Sequence, residues 1–265
     1  LGPTERGKRM AKKLGFGDQG TTTAKQDQVD LCATIDDLPL WSAPFGLALL
    51  EQFRFRPHLR VLDVGCGAGF PGLELANRMG AGSQLVAVDP WDTALARLNL
   101  KRRVQQLESA HPLQSVCEQL PFADGTFGAA ISNNGLNNVA DEQRAYDELA
   151  RVCQSGAQLV MTVNLPDTMI SFYRLFQEVL EELEPRDIDP TAAERIAAHI
   201  FTKRKPIEHT ESLLRESGWE RIDIAQHRFR MRFLDGSAFL ESFMVRLAFS
   251  PPWRTLVAEE LWDRV

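Results

Sequence analysis

From Arg60 onward, short apolar runs alternate with longer stretches in which apolar residues recur every three or four positions. The runs Arg60–Val64, Gln84–Asp89, Leu113–Cys117, Phe127–Ser132 and Gln158–Asn164 predict five strands. Unbroken apolarity marks strands buried on both faces. The stretches Pro71–Met79, Thr93–Gln106 and Asp141–Cys153 predict helices, with glycines just past the first and last of them at Gly80 and Gly156. Ser42 can cap an earlier helix, Ala43–Phe53, with Pro44 in its first turn. Strands and helices in regular alternation predict an α/β fold, a parallel sheet with right-handed crossovers.

The alternation stops after Pro166. Helical periodicity covers Asp167–Leu183, Thr191–Thr202 and Ile207–Ser217, with a turn at Pro185–Pro190. Arg221–Phe233 reads as extended, a hairpin or one long strand, and Ser237–Phe249 and Trp253–Trp262 read as helical. The stretch 167–205 is long for a connection in such a fold, which predicts a helical cap inserted after the fifth strand. Residues 1–37 read as a flexible arm with a basic start at Arg6, Lys8, Arg9, Lys12 and Lys13. The domain proper then runs from residue 38 to 265.

Composition narrows the partners. The 265 residues carry a net charge of −6, which argues against a broad nucleic-acid footprint. No apolar run approaches the ~20 residues of a membrane span, and the first residues show no apolar leader. The four cysteines, Cys32, Cys66, Cys117 and Cys153, have no metal-type spacing, so no metal site is expected. They read as reduced thiols of a cytoplasmic protein.

The strongest chemical signal is Val61-Leu-Asp-Val-Gly-Cys-Gly-Ala-Gly-Phe-Pro-Gly72. A buried strand runs directly into Gly65, Gly67 and Gly69 and then a helix. Glycines here permit unusual backbone angles and close approach of a ligand to the main chain. Asp89 ends the second strand, twenty residues after Gly69, where a carboxylate can accept from ribose hydroxyls. Gly67-x-Gly69-x-x-Gly72 also fits a dinucleotide fingerprint. Asp63 argues against that: its charge beside the loop would repel a pyrophosphate and suits a ligand with an ammonium group.

With these motifs in place, the chain resembles class I S-adenosylmethionine-dependent methyltransferases, in particular the ubiquinone/menaquinone-biosynthesis type that acts on small molecules. The resemblance rests on Val61–Gly69, on Val86-Ala-Val-Asp-Pro90, on Leu120-Pro-Phe-Ala-Asp-Gly-Thr-Phe127 and on Ala130-Ile-Ser-Asn-Asn-Gly135, over about residues 40–165. It implies a Rossmann-like fold with a mostly parallel seven-stranded sheet flanked by helices. It implies S-adenosylmethionine as methyl donor and S-adenosylhomocysteine as product. By position, Asp63 would meet the methionine amino group, Gly65, Cys66, Gly67 and Gly69 would line its path, and Asp89 would hold the ribose. Pro90 and Trp91 would pack near the adenine, and Asn133 would lend backbone near the methionine end. Many relatives have an aspartate where this chain has Val116, reading the adenine amino group; Cys117 and Glu118 are the residues left to stand in. Gly128 likewise replaces an aspartate.

Methyl transfer from a sulfonium demands alignment and exclusion of water more than a fixed catalytic group. Ser132-Asn-Asn-Gly-Leu-Asn-Asn-Val139 follows the fourth strand and is the candidate reaction face, with Asn134 and Asn137 as contacts to a polar acceptor. The same amides could instead close a local turn. Tyr173 and His199, with His209 beside them, are candidate bases in the cap, and Trp41 is either a core residue or part of a lid. Arg228, Arg230 and Arg232 alternate with aromatics, as on an edge strand or a surface for an anionic substrate. The expected function is methyl transfer to a small-molecule acceptor. The alternatives are a nucleic-acid or protein methyltransferase and a non-catalytic S-adenosylmethionine-binding protein.

Overall fold

The computed structural model describes residues 22–37, 41–182 and 191–254. The chain forms two compact units. The first runs to Val163 and takes in Thr210–His227; the second comprises Asn164–His209 and the chain from Arg228 onward.

The first unit is built on five parallel strands: β1 (Arg60–Val64), β2 (Gln84–Asp89), β3 (Ala110–Gln114), β4 (Phe127–Asn133) and β5 (Cys153–Thr162). Their order is β3-β2-β1-β4-β5. The order reverses between β1 and β4, and open α/β sheets bind ligands at the carboxyl ends of strands beside such a switch. The pleat sorts β1 between two cores. Val61 packs with Leu49, Leu75 and Leu98 on the face covered by three helices, Ser42–Gln52, Gly72–Arg78 and Asp92–Val104. Leu62 and Val64 pack with Ala145, Tyr146 and Leu149 of the helix Glu142–Val152 on the other face, joined by Leu214 of Ile207–Glu216.

In chain order the helices are α1 (Thr22–Asp37), α2 (Ser42–Gln52), α3 (Gly72–Arg78), α4 (Asp92–Val104), α5 (Glu142–Val152), α6 (Ile170–Glu182), α7 (Ala192–Lys203), α8 (Ile207–Glu216), α9 (Gly236–Glu241) and α10 (Ser250–Arg254). A π-helical turn spans Val245–Phe249.

Several expectations need correction. The described residues contain five strands, not seven. Arg221–Phe233 pairs with no strand. Its alternation has no buried side: the three arginines are exposed, and Phe229 and Phe233 are each 39% exposed. β3 starts three residues earlier than expected, so Val116 and Cys117 lie beyond its end. The span 22–37, expected as flexible arm, is the helix α1. It is held against α4 by Asp36, which receives Arg97 Nε at 2.8 Å and Lys101 Nζ at 2.6 Å. The basic start of the chain, the turn 185–190 and most of the last expected helix lie outside the described residues.

The second unit is helical throughout its regular elements. Tyr173, Phe176, Leu180, Ile196, Ile200, Val245 and Trp253 form its core. The helices α6 and α7 lie within the stretch 167–205, and they share this core with residues from the C-terminal part of the chain.

Candidate cofactor site

The chain leaves β1 through a loop in which every second residue is a glycine with positive φ. Gly65, Gly67 and Gly69 have φ of 71°, 51° and 105°. The N–H groups of Gly65 and Cys66 both donate to Val88 O of β2, at 2.9 and 3.1 Å. Side-chain space differs sharply along the loop. A Cβ on Gly65 would sit 2.6 Å from the Cα of Gly135, whereas a Cβ on Gly67 would meet nothing within 4 Å. The loop is therefore clamped at its start and open at its middle.

Asp89 underpins the open part. Its Oδ2 accepts from Gly67 N and its Oδ1 from Trp91 N, both at 2.8 Å. Burial raises its pKa, against the pull of these two N–H groups. Each oxygen keeps a second lone pair, so Asp89 can still accept from a ligand hydroxyl.

Asp63 shares the face of Val61 and is 1% exposed. Its Oδ2 is buried with no hydrogen-bond partner. Burial, and secondarily the charge of Asp89, push its pKa up to about 8. Gly72, at the start of α3, leaves it room: a Cβ there would collide with Oδ2. A buried carboxyl without a partner is costly, and a cationic ligand would relieve it. The Cys66 thiol is buried beside it and raised well above its ordinary value, first by desolvation.

Opposite the glycine loop, the end of β4 is tied to β1. Ser132 Oγ donates to Val64 O at 2.9 Å and accepts from Leu136 N at 3.3 Å. Asn133 donates from Nδ2 to Ser42 O and accepts from Thr162 Oγ1. Asn134 adopts φ of 58°, and its Oδ1 accepts from Asn137 Nδ2 at 3.2 Å. Asn138 Nδ2 donates to Asn134 O. Much of the asparagine hydrogen bonding therefore closes the turn, the plainer of the two readings. Asn134 Nδ2 is the exception, buried and without an acceptor.

Glu118 is bonded into the fold. Its Oε1 accepts from Ala140 N at 2.7 Å and Asp141 N at 3.4 Å, ahead of α5, and Arg144 Nε donates to its carbonyl. One oxygen of this carboxylate, Oε1, is thus committed within the fold. Cys117 is likewise buried, its Sγ directed at Ala145 O. Pro90 and Trp91 follow β2 as expected, and both are half-buried.

Tyr173 and His199 belong to the second unit. Tyr173 is fully buried in the aromatic core, and its hydroxyl accepts from Trp253 Nε1 at 3.0 Å. That is the setting of a structural tyrosine, which removes it as a candidate base. The His199 ring lies 6.0 Å from it. His209 is exposed. Trp41 is half-buried against Phe45, with ring centres 5.7 Å apart. Gly128 packs under Leu59, whose Cδ2 would lie 3.1 Å from a Cβ. A larger side chain there would press on the core.

One residue escaped the sequence reading. Gln28 of α1 is 8% exposed, and its Oε1 is buried without a partner. It lies one turn before Cys32, whose Sγ approaches Thr93 O at the start of α4. No motif marks it, because its row on α1 is Gln28, Cys32 and Asp36, two polar residues of three. Among the described residues there is no cluster able to hold a metal and no helix long and apolar enough to cross a membrane.

Comparison with known proteins agrees with this geometry. Residues 62–161 match a family described as a methyltransferase domain. The chain is 32% identical over 135 residues to the ubiquinone/menaquinone biosynthesis C-methyltransferase UbiE of Geobacter sp. (strain M21), covering 47% of this chain and 55% of that protein. It is 33% identical over 148 residues to an uncharacterized protein, Rv1405c, of Mycobacterium tuberculosis, covering 52% of each. The matched region thus spans about half the length of these curated relatives. Among solved structures, the YcgJ protein of Bacillus subtilis is similar with a TM-score of 0.56 at 17% identity, over 83% of this chain and 86% of that one. A SAM-dependent methyltransferase of Aquifex aeolicus gives a TM-score of 0.52 at 18% identity, over 71% and 87%. These two likenesses establish the fold. The clamped glycine loop, Asp63 and Asp89 all lie within residues 62–161, the stretch that matches this methyltransferase-domain family.

Proposed function

We propose that the protein transfers a methyl group from S-adenosylmethionine to a small-molecule acceptor. The observation that carries this reading is Asp63: a buried carboxyl with an orphan oxygen, beneath a glycine loop whose middle is open. When bound, S-adenosylmethionine supplies a methyl group already activated on a sulfonium. The chain's own residues then have three tasks. Asp63 would pair with the amino group of the methionine portion. Asp89, held by Gly67 N and Trp91 N, would accept from the ribose hydroxyls through its remaining lone pairs. The turn after β4 would present Asn134 Nδ2 to a polar acceptor.

The small-molecule acceptor is supported by the UbiE relatives, whose names place them in ubiquinone/menaquinone biosynthesis. A cytoplasmic setting is supported by four free, buried cysteines. Calorimetric titration with S-adenosylmethionine is the decisive experiment, followed by Asp89→Ala. Binding that the substitution weakens supports the reading. Absence of binding to S-adenosylmethionine and to S-adenosylhomocysteine would overturn it.

A cofactor-binding role without transfer is the second reading. It is favoured by the asparagine turn, where Asn134 and Asn137 bond to each other. Tight binding with no methyl consumption across quinol, phenol and amine acceptors would select it.

A further inference from the structure

We propose that the helical unit contains a binding site for an anionic group, a carboxylate or a phosphate, at the guanidinium of Arg204. This goes beyond the methyl-transfer reading and does not depend on it. Arg204 follows α7 as its C-cap residue and is only 5% exposed. Its guanidinium carbon lies 5.2 Å from the centre of the Tyr173 ring, itself fully buried. Nη1 is enclosed and has no hydrogen-bond acceptor. Among the described residues no carboxylate is in ion-pair contact with Arg204.

The guanidinium of an arginine is a permanent cation in proteins. A charge taken out of water without a counter-ion is strongly unfavourable. Two features of the fold offset part of that cost. The face of the Tyr173 ring attracts the cation, and the carboxyl end of α7 carries a partial negative charge. Neither accepts the Nη1 proton. Tyr173 offers no charge, and its hydroxyl oxygen already accepts from Trp253 Nε1. The guanidinium therefore keeps an unused donor at a site shielded from water. A planar fork of donors in such a setting matches the two oxygens of a carboxylate or phosphate, and shielding strengthens the pairing. A ligand anion supplies the counter-charge that is missing among the described residues.

The test uses the full chain, with Arg204→Met and Arg204→Lys beside it. Thermal melting is followed against inorganic phosphate and, separately, benzoate, with sodium chloride at matched ionic strength as reference. Phosphate or benzoate should raise the wild-type melting temperature by several degrees with saturation, and whichever acts more strongly identifies the chemistry. Arg204→Met should lose that response, and Arg204→Lys should need at least tenfold more anion. Unliganded Arg204→Met should melt at or above the wild type, since it removes an uncompensated buried charge. The proposal is overturned if neither anion stabilises the wild type beyond chloride, or if all three proteins respond alike. It is equally overturned if both unliganded variants melt well below the wild type, because the guanidinium is then satisfied inside the fold. S-adenosylmethionine titration of the same samples separates the two ideas. A wild type that binds anion but no S-adenosylmethionine sinks the methyl-transfer reading and leaves this site standing.

Discussion

Replacing Asp63 with Asn puts the cofactor site to its most quantitative test. The folded protein holds this carboxyl near pKa 8, chiefly through burial and then through Asp89. At pH 7 about one molecule in ten is then ionised, which withholds about 1.4 kcal/mol from any ligand that needs the anion. A ligand that brings an ammonium to Asp63 must expel the carboxyl proton. Affinity for S-adenosylmethionine should therefore rise close to tenfold per pH unit from about pH 6 to about 7.5, with roughly one proton released per molecule bound. The rise should end near pH 8, where Asp63 is already ionised and an α-amino group begins to lose its own proton. Titration calorimetry in buffers of different ionisation enthalpy measures both quantities. In Asp63→Asn the slope and the proton release should vanish together. The unliganded protein gives an independent sign. The raised pKa keeps the group neutral when folded and charged when unfolded between about pH 4 and 8, so stability should fall as pH rises through that window, by up to about 1.4 kcal/mol per unit. Asp63→Asn should abolish that fall. A flat affinity over the same range, or proton release that persists in the variant, refutes the assignment of Asp63 to the ligand.

Gly65→Ala and Gly67→Ala should separate structure from binding. The first forces a side chain against Gly135 Cα and should cost about 3 kcal/mol or more of stability in chemical denaturation, whereas the second meets open space and should cost only about 1–2 kcal/mol for its left-handed backbone. If Gly67→Ala nevertheless binds S-adenosylmethionine as tightly as the wild type, the loop is not the approach path. Asp89→Asn can keep only one of the two hydrogen bonds to Gly67 N and Trp91 N, and its amide aims a donor at the other N–H; affinity should drop at least tenfold, measured by the same titration. Asp36→Ala removes both cations' partner on α1 and should destabilise by about 1–2 kcal/mol, less in high salt, with faster amide exchange along Thr22–Asp37. Exchange confined to other segments would show that α1 is held by other means.

The parallel sheet and the glycine loop were readable because their physics is local. Val61, Leu62 and Val64 are apolar since both faces of β1 are covered, and Gly65, Gly67 and Gly69 are glycine since their backbone turns left-handed. α1 was hidden for the opposite reason. Its anchoring residue Asp36 is charged, and Arg97 and Lys101, which hold it, lie some sixty residues on. Glu118 carried the same ambiguity: a carboxylate near the end of β3 looks available until the fold brings Ala140 N and Asp141 N to it. Arg228–Phe233 misled because strict alternation signals a strand only when one side has something to pack against. Tyr173 looked like a candidate base by its hydroxyl, but the Phe172, Trp253 and Phe176 rings around it make it part of a core.

The approach of Gly65 to Gly135 has a further consequence. A Cβ on Gly135 would lie 2.9 Å from Gly65 Cα, so neither backbone leaves room for a side-chain atom on the other. The loop after β1 and the turn after β4 thus interlock, with Ser132 as the latch. Neither can drift or enlarge without dislodging its neighbour. A side chain at either glycine has to push the other segment away, so a substitution on one side of the seam is transmitted to the backbone on the other.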